Sequence, residues 1–262
     1  MTNHKLVVSI VQTPLFWEDK SKNLELLNKA LNKIKPGVNL IVLPEMFSTG
    51  FSMRSADLAE EMGGPTMQWM MEKASNTNAA VAGSIIIKEA NRYYNRFIFM
   101  LPDGNYSYYD KRHLFRMGNE HQHYSPGIQP CIVNYMGWKI NLQICYDLRF
   151  PVWSRNKFFD KGYDLLIYVA NWPERRIAAW KTLLMARAIE NQAYVIGLNR
   201  VGTDGNGINH TGDSGIISFL GEVIHACKPN QPEVVTVSLD KPDLEKFRVD
   251  FPVGLDKDDF HF

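Results

Sequence analysis

The sequence predicts an α/β protein of 262 residues built on mixed β-sheets. Short apolar runs rich in β-branched residues alternate twice with amphipathic helical segments, a pattern typical of parallel strands joined by helices. Between these units lie paired apolar runs separated by turn residues, which indicate antiparallel hairpins. Because no linker-like or low-complexity segment interrupts the pattern, we expect one domain over residues 1–240 and a C-terminal tail over 241–262.

Apolar periodicity predicts the elements of the first half of the chain. A helix is expected over 24–34, where leucines recur at three- and four-residue steps, and Pro36 stops it. Methionines at similar spacing predict a second helix over 65–74, in which they fill the core. Strands are expected at 6–11, 40–43, 79–87, 94–101 and 106–109.

The second half is expected to repeat this alternation around Cys145. Helices are predicted over 152–159, where Pro151 opens the segment, and over 177–191, which is rich in good helix formers. The tail over 241–262 is polar and punctuated by proline, so we expect it to be extended and either docked at a subunit interface or solvated. Strands are expected at 131–135, 139–144, 165–170, 194–198, 214–219 and 234–239.

Composition excludes several classes of function. Hydrophobic residues make up 45% of the chain and charged residues 22%, as in ordinary globular proteins. Lysine and arginine total 29 against 28 aspartates and glutamates, without a long single-sign block, so we expect neither nucleic acid nor a membrane as a partner. Residues 1–11 lack the sections of a signal peptide, which predicts a cytoplasmic protein. The three cysteines have no CxxC spacing, which argues against a disulfide framework.

Three reactive side chains stand just beyond predicted strands: Glu45, Lys111 and Cys145. Strand ends are where α/β proteins assemble their sites. Each residue alone has a structural explanation, as a surface charge or as a small core residue. Together they favour acyl chemistry, because a carboxylate can accept the thiol proton and a cation can stabilise the oxyanion formed at a carbonyl.

The segments around these residues form a recognisable set. They read Leu-Pro-Glu-Met-Phe (43–47), Asp-Lys-Arg-His-Leu-Phe (110–115) and Ile-Cys-Tyr-Asp-Leu-Arg-Phe-Pro (144–151). In type and order they resemble the signature segments of the nitrilase superfamily of carbon–nitrogen hydrolases. Segments 170–173, 199–202 and 212–217 extend the resemblance over most of the chain, which is most similar to the omega-amidase branch.

This resemblance implies a four-layer α-β-β-α sandwich and a set of site roles. Glu45 would be the general base, Lys111 would stabilise the tetrahedral intermediate and Cys145 would be the nucleophile. Glu120 matches a second family glutamate that positions the substrate and the base, and the Tyr146 N–H would complete the oxyanion hole. The chemistry calls for no metal and no organic cofactor. The family resemblance also implies a homodimer, paired through helices beside the nucleophile strand.

The expected substrate is a small amide that also carries a carboxylate. Arg149 is suited to bind that carboxylate in bidentate fashion, and Trp172 is suited to form a pocket wall. A structural ion pair between Arg149 and Asp147 or another acid, and core packing of Trp172, are the alternatives. Both binding roles agree with a dicarboxylic monoamide such as 2-oxoglutaramate or 2-oxosuccinamate, the substrates that the omega-amidase resemblance implies.

Other functions stay open at this stage. Another amide, such as deaminated glutathione or an N-carbamoyl compound, is the main alternative, followed by a catalytically inactive scaffold. The segment Gly-Asp-Ser-Gly (212–215) is similar to a serine-protease motif but lacks a matching upstream histidine segment. His121 and His123 beside Glu120 suggest a metal site, which the lack of a fourth ligand disfavours.

Overall fold

The computed structural model describes residues 5–158 and 162–258. The first half of the chain forms β1 (Lys5–Gln12), α1 (Lys20–Leu31), β2 (Leu40–Val42), α2 (Ser55–Leu58), α3 (Pro65–Thr77), β3 (Ala80–Glu89), β4 (Arg92–Met100), β5 (Tyr106–Asp110) and α4 (Glu120–His123). The second half forms β6 (Ile132–Tyr135), β7 (Trp138–Ile144), β8 (Leu165–Ala170), α5 (Ile177–Asn191), β9 (Tyr194–Asn199), β10 (Val201–Thr203), β11 (Asn209–Thr211), β12 (Gly215–Ile217), β13 (Val223–Ala226), β14 (Glu233–Asp240) and α6 (Lys241–Asp250).

Two mixed six-stranded sheets form the centre of the molecule. The first has the order β14-β1-β2-β3-β4-β5, with β1, β2 and β3 parallel. The second has the order β13-β12-β9-β8-β7-β6, with β7, β8 and β9 parallel. The remaining pairs are antiparallel, and β10 and β11 form a small separate hairpin. The predicted combination of parallel units and hairpins is therefore confirmed.

The sheets pack face to face, and helices cover their outer sides. Alternate residues of β1 such as Val8 and Ile10 lie in one core with residues of β7 and β8, while Val11 faces the opposite way, toward α1 and α3. On the second sheet, a side chain at Gly197 would meet Leu184 and Trp180, so glycine there lets α5 pack closely on β9. The result is the four-layer α-β-β-α sandwich that the family resemblance implies.

Local signals explain several element boundaries. The Asp19 side chain caps α1 by accepting a hydrogen bond from the Lys22 N–H at 3.0 Å. That helix ends at Leu31, earlier than the predicted stop, because Asn32 already closes its last turn. Helix α5 and strand β8 begin and end where the sequence predicts them, at 177–191 and 165–170. All six residues of β8 are buried, as expected for a central parallel strand covered on both faces.

The predicted helix over 152–159 is wrong. Residues 151–154 form a turn and 155–158 have no regular structure, while Phe159 lies outside the described residues. The buried Asn156 side chain provides the reason: its oxygen accepts from the N–H groups of Phe158 and Tyr163, and its amide donates to the carbonyls of Tyr163 and Asn191. These bonds replace those that a helix would supply to the backbone.

The expectation of an extended tail is also wrong for residues 241–250, which form α6. Asp240 caps this helix, and a proline stands in its first turn, where a missing N–H costs nothing. Leu244 is fully buried and the Phe247 ring lies 5.2 Å from the Phe219 ring, so α6 packs on the second sheet of its own chain. Docking of the tail at a subunit interface stays a prediction. Phe260 and Phe262 lie outside the described residues.

Over residues 5–158 and 162–258, none of the helices has the length and apolar character needed to cross a bilayer.

Candidate active site

Glu45, Lys111 and Cys145 follow three strands whose ends meet at one edge of the sandwich. Glu45 lies beyond β2, Lys111 directly after β5, and Cys145 directly after β7. The Lys111 Nζ donates to Glu45 Oε1 at 2.9 Å. The Cys145 thiol lies close enough to interact with the charges of both side chains and of Glu120. The structure thus brings together residues that are up to 100 positions apart in the sequence.

Glu45 is fully buried, and three residues donate hydrogen bonds to its carboxylate. Oε1 accepts from Lys111 and from the Asn95 amide, the latter at 2.8 Å, and Oε2 accepts from the Asn171 N–H at 2.7 Å. The Asn171 side chain also donates to the Glu45 carbonyl at 2.8 Å. Met46, the next residue, has a φ of 45°, and its N–H donates to the Ser84 hydroxyl. The carboxylate therefore has one orientation, as a general base requires.

Lys111 and Glu120 form the second buried charge pair of the site. Lys111 Nζ donates to Glu120 at 3.0 Å, and the other Glu120 oxygen accepts from the Phe115 N–H at 2.6 Å. Burial opposes the charged form of Lys111, but the carboxylates of Glu120 and Glu45 outweigh it and raise the pKa of the lysine. Burial, together with repulsion from Glu45, raises the pKa of Glu120. Lys111 is therefore a fixed cation between two carboxyl groups.

Cys145 sits in a strained turn that Asp147 holds in place. Its φ of 45° is in the left-handed region, which costs a non-glycine residue on the order of 1 kcal/mol. Residues Cys145–Arg149 form a 3₁₀ helix after the strand. The buried Asp147 carboxylate accepts from the Ile144 N–H at 3.1 Å, from the Tyr109 hydroxyl at 2.8 Å and from the His113 N–H at 2.9 Å. Asp147 thus links the cysteine turn to the segment that follows Lys111.

The surroundings of Cys145 favour the protonated form of its thiol. Burial raises its pKa well above the ordinary value, repulsion from Glu45 raises it further, and the attraction of Lys111 offsets only part of this. A preformed thiolate is therefore disfavoured. The thiol must lose its proton as it attacks, and Glu45 is the nearby group that can accept it.

A cavity of about 130 Å³ opens above the thiol. Cys145, Tyr146, Arg149 and Trp172 all line it, so the structure places these predicted site residues around one space. The Tyr146 N–H belongs to the first turn of the 3₁₀ helix, where N–H groups have no partner within the helix. The other lining residues are Phe51, Met53, Phe115, Met117, Gly118, Asn171, Pro173, Arg175, Arg176, Asp204, Asn206, Ile208 and His210.

Arg149 and Trp172 contact each other at the cavity. The Asp147 oxygens bind other groups, and the exposed Arg149 guanidinium lies instead 5.0 Å from the centre of the Trp172 ring. Trp172 is buried, its ring nitrogen donates to the Arg176 carbonyl at 2.9 Å, and one ring face still lines the cavity. Trp172 therefore has both a packing role and a wall position, and it holds Arg149 at the rim.

Several polar residues of this site were not predicted from the sequence, among them Asn95, Asn171, Arg175 and Arg176. Asn95 lies inside β4, where an inward-facing polar side chain gives no sequence signal of its role. Asn171 directly follows β8, so the strand-end criterion used for Glu45 could have found it. Arg175 and Arg176 line the cavity together with Arg149 and make its rim cationic. They were missed because a pair of charged residues shortly after a proline is typical of a surface turn.

A buried cysteine beside a carboxylate and a fixed ammonium defines a thiol-dependent hydrolase of the acyl-transfer class. The chain belongs to the carbon–nitrogen hydrolase family, whose model matches residues 7–249. This confirms the resemblance to the nitrilase superfamily drawn from the signature segments.

Curated relatives and solved structures agree with this assignment. The chain is 46% identical to the Omega-amidase YafV of Escherichia coli (strain K12), over 97% of this chain and 98% of the relative. It is 32% identical to the 2-oxoglutaramate amidase of Bacillus subtilis (strain 168), over 95% of this chain and 96% of the relative. The crystal structure of XC1258 from Xanthomonas campestris, a CN-hydrolase superfamily protein with an arsenic adduct in the active site, matches with a TM-score of 0.96 and 43% identity over 99% of both chains.

Proposed function

We propose that this protein is a cysteine-dependent omega-amidase, which hydrolyses the terminal amide of a small dicarboxylic monoamide to the acid and ammonia. The observation that carries the proposal is the Cys145 thiol at the base of a small cavity whose rim is cationic. The similarity to an omega-amidase from Escherichia coli and a 2-oxoglutaramate amidase from Bacillus subtilis supports an amide substrate of the 2-oxoglutaramate type.

In the first half of the proposed reaction, Cys145 Sγ attacks the amide carbonyl while Glu45 accepts the thiol proton. The carbonyl π bond becomes an oxyanion, which Lys111 and the Tyr146 N–H stabilise. Glu120 and Glu45 both accept hydrogen bonds from the Lys111 ammonium, so it keeps its position as charge develops on the substrate.

In the second half, the carbon–nitrogen bond breaks and Glu45 returns its proton to the departing ammonia. A thioester remains on Cys145. Glu45 then accepts a proton from a water molecule that attacks the thioester, and the sulfur leaves and regains a proton as the acid is released. Glu45 carries each proton in this sequence, so the proposed mechanism requires no metal or organic cofactor.

The rim of the cavity favours a substrate with a carboxylate at the end remote from the amide. Arg149, Arg175 and Arg176 are cations at the rim, whereas Asp204 is the acidic side chain among its lining residues. An arginine pairs with a carboxylate through two parallel hydrogen bonds. Short monoamides such as 2-oxoglutaramate and 2-oxosuccinamate combine such a carboxylate with a terminal amide.

A steady-state comparison of substrates tests this proposal. Ammonia release would be measured with 2-oxoglutaramate, 2-oxosuccinamate, glutamine and an N-carbamoyl amino acid, and product release with deaminated glutathione. We expect the highest kcat/KM for the two oxo-monoamides. A higher kcat/KM for deaminated glutathione or the N-carbamoyl compound would replace the proposed substrate class, and turnover of none of them would favour an inactive scaffold.

We further propose that the enzyme is a cytoplasmic homodimer. A reducing compartment keeps a catalytic thiol active, which supports the cytoplasm. On the outer face of α5, Met185 and Ile189 are exposed next to Leu220, and such contiguous apolar surface is typical of an interface. Light scattering at micromolar concentration should give the mass of two chains, and Ile189→Glu should shift it toward one. A one-chain mass for the unaltered protein would contradict the dimer.

A further inference from the structure

Three potential metal ligands come together outside the proposed active site. His225, Cys227 and Glu233 each offer one ligand atom, a nitrogen, a sulfur and an oxygen, and these atoms lie within 4.8 Å of one another. Ligand atoms around one tetrahedral zinc ion are roughly 3.3–3.8 Å apart, since each lies roughly 2.0–2.3 Å from the metal, so the most separated pair here moves closer by about 1 Å when the ion binds. Nothing in the proposed amidase mechanism uses these side chains.

The fold explains why these residues meet. His225 belongs to β13 and Cys227 follows it two residues later, so in extended backbone both side chains point to the same side. Glu233 is the first residue of β14. Strand β13 is an edge strand of the second sheet, and β14 is an edge strand of the first. The cluster therefore spans the two sheets of the sandwich at the connection between these strands.

Hydrogen bonds hold the three residues in position. One Glu233 oxygen accepts from the Lys228 N–H at 2.9 Å, which leaves the other oxygen facing His225 Nε2 at 3.0 Å. The Cys227 N–H donates to the Ser214 carbonyl at 2.8 Å. The buried Gln12 amide donates to the carbonyls of Lys228 and Gln231 in the connecting loop, at 2.9 and 2.8 Å. Fixed neighbours of this kind orient metal ligands.

The exposure of the cluster suits metal entry. The Cys227 side chain is buried, whereas the side chains of His225 and Glu233 are 33% and 26% exposed. The sulfur thus forms the floor of a site that is open to solvent on the side of the other two ligands. A mixed set of imidazole, thiolate and carboxylate is suited to zinc and to related divalent transition metals, whereas calcium and magnesium prefer oxygen ligands alone.

We propose that His225, Cys227 and Glu233 bind one divalent transition-metal ion of the zinc type, with water as the fourth ligand. On binding, the Cys227 thiol loses its proton to solvent and the sulfur bonds to the metal as thiolate, while the neutral imidazole and the carboxylate complete the protein ligands. The bound ion joins the edges of both sheets. Because it binds the folded state, it raises the stability of the fold.

Cobalt titration of the Cys145→Ala enzyme tests the proposal without competition from the catalytic thiol. Co²⁺ bound to a thiolate gives a charge-transfer absorption, and we expect it to saturate at one equivalent per chain and to disappear when Zn²⁺ is added. Zn²⁺ should also raise the thermal unfolding temperature. Adding Cys227→Ser should abolish the absorption and weaken Co²⁺ binding by more than about 100-fold. Loss of a direct ligand should cost more than loss of a residue that only orients a ligand, which costs about 10- to 100-fold. Adding Cys131→Ser as the matched control should change neither.

His225→Gln provides a second variant, because its half-exposed side chain can be changed without disturbing the core. It should weaken Co²⁺ binding while the metal-free protein unfolds at the same temperature as its parent. Absence of stoichiometric binding to the Cys145→Ala enzyme would overturn the proposal. Binding that persists unchanged in the folded Cys227→Ser or His225→Gln variant would overturn it as well.

Discussion

Asn95→Ala should slow catalysis while leaving substrate binding nearly unchanged. The Asn95 amide donates to Glu45 Oε1 at 2.8 Å, and it also reaches Glu120 at 3.4 Å. The substitution removes one of the donors that orient the proposed general base. Alanine keeps the backbone bond in which the Asn95 carbonyl accepts from the Lys111 N–H, so strand pairing is preserved. Asn95 acts through Glu45 and is therefore a positioning residue.

The size of this effect follows from the contacts that remain. A buried hydrogen bond to a charged group contributes roughly 1.5–3 kcal/mol. Lys111 and Asn171 still hold Glu45, so we expect a loss in the lower part of this range. Since about 1.4 kcal/mol corresponds to a factor of ten in rate, kcat should fall by about 10- to 30-fold. Asn95→Asp has almost the same shape but sets a third carboxyl group against Glu45 and Glu120, so it should lower kcat further.

Steady-state ammonia release with 2-oxoglutaramate separates this role from a general loss of structure. Asn95→Ala should change kcat and leave KM within about twofold, because Asn95 contacts Glu45 and Glu120 and is not among the residues that line the cavity. Asn134→Ala, at an exposed position of β6, is the control and should match the unaltered enzyme. An unchanged kcat in Asn95→Ala, or an effect confined to KM, would refute the positioning role.

Three further predictions follow from the site and the fold. Glu45→Gln should slow alkylation of Cys145 by iodoacetamide at least about tenfold if Glu45 accepts the thiol proton. If Glu45 acted by charge alone, removing its negative charge would lower the pKa of the Cys145 thiol and speed the reaction. The rates would be followed by peptide mass spectrometry, with Cys131 and Cys227, whose pKa values burial raises to about 11 and about 12, as slow internal references. Arg149→Met should raise KM for 2-oxoglutaramate about two- to fivefold, the effect expected from the loss of an exposed ion pair. It should leave kcat/KM unchanged for a neutral amide such as propionamide. Equal effects on both substrates would exclude carboxylate recognition by Arg149. Leu244→Ala should lower the free energy of unfolding in urea by about 2–5 kcal/mol, since this leucine of α6 is fully buried. Val249→Ala, at a 78% exposed position of the same helix, is the control and should change it by less than about 0.5 kcal/mol. Similar values for the two variants would contradict the packing of α6.

The sequence was sufficient to find the charged centre of the site because that centre lies at strand ends. Glu45, Lys111 and Cys145 each stand just beyond a predicted strand, and such positions are visible without coordinates. Asn95 could not be found in this way. It lies within β4, and only the pairing of β4 with β5 shows that its side chain faces the same buried space as Lys111.

The two errors of secondary structure have different physical causes. Residues 152–158 have helix-compatible composition, but Asn156 donates hydrogen bonds to the side-chain oxygen and the carbonyl of Asn191, 35 residues away, and such tertiary bonds leave no local signal. Segment 241–250 was misread because its proline suggested a break. Proline is tolerated in the first turn of a helix, and Asp240 directly before it is a capping residue, so the signal was present in the sequence.

Ammonia release by Cys145→Ala tests the central claim, that this thiol carries the acyl group. With a saturating oxo-monoamide substrate, the variant should lose on the order of 10⁴-fold or more in kcat, as enzymes do when a covalent nucleophile is removed. Cys131→Ala, the matched loss of a thiol outside the cavity, should keep full activity. Turnover retained in a folded Cys145→Ala enzyme would contradict the proposed mechanism.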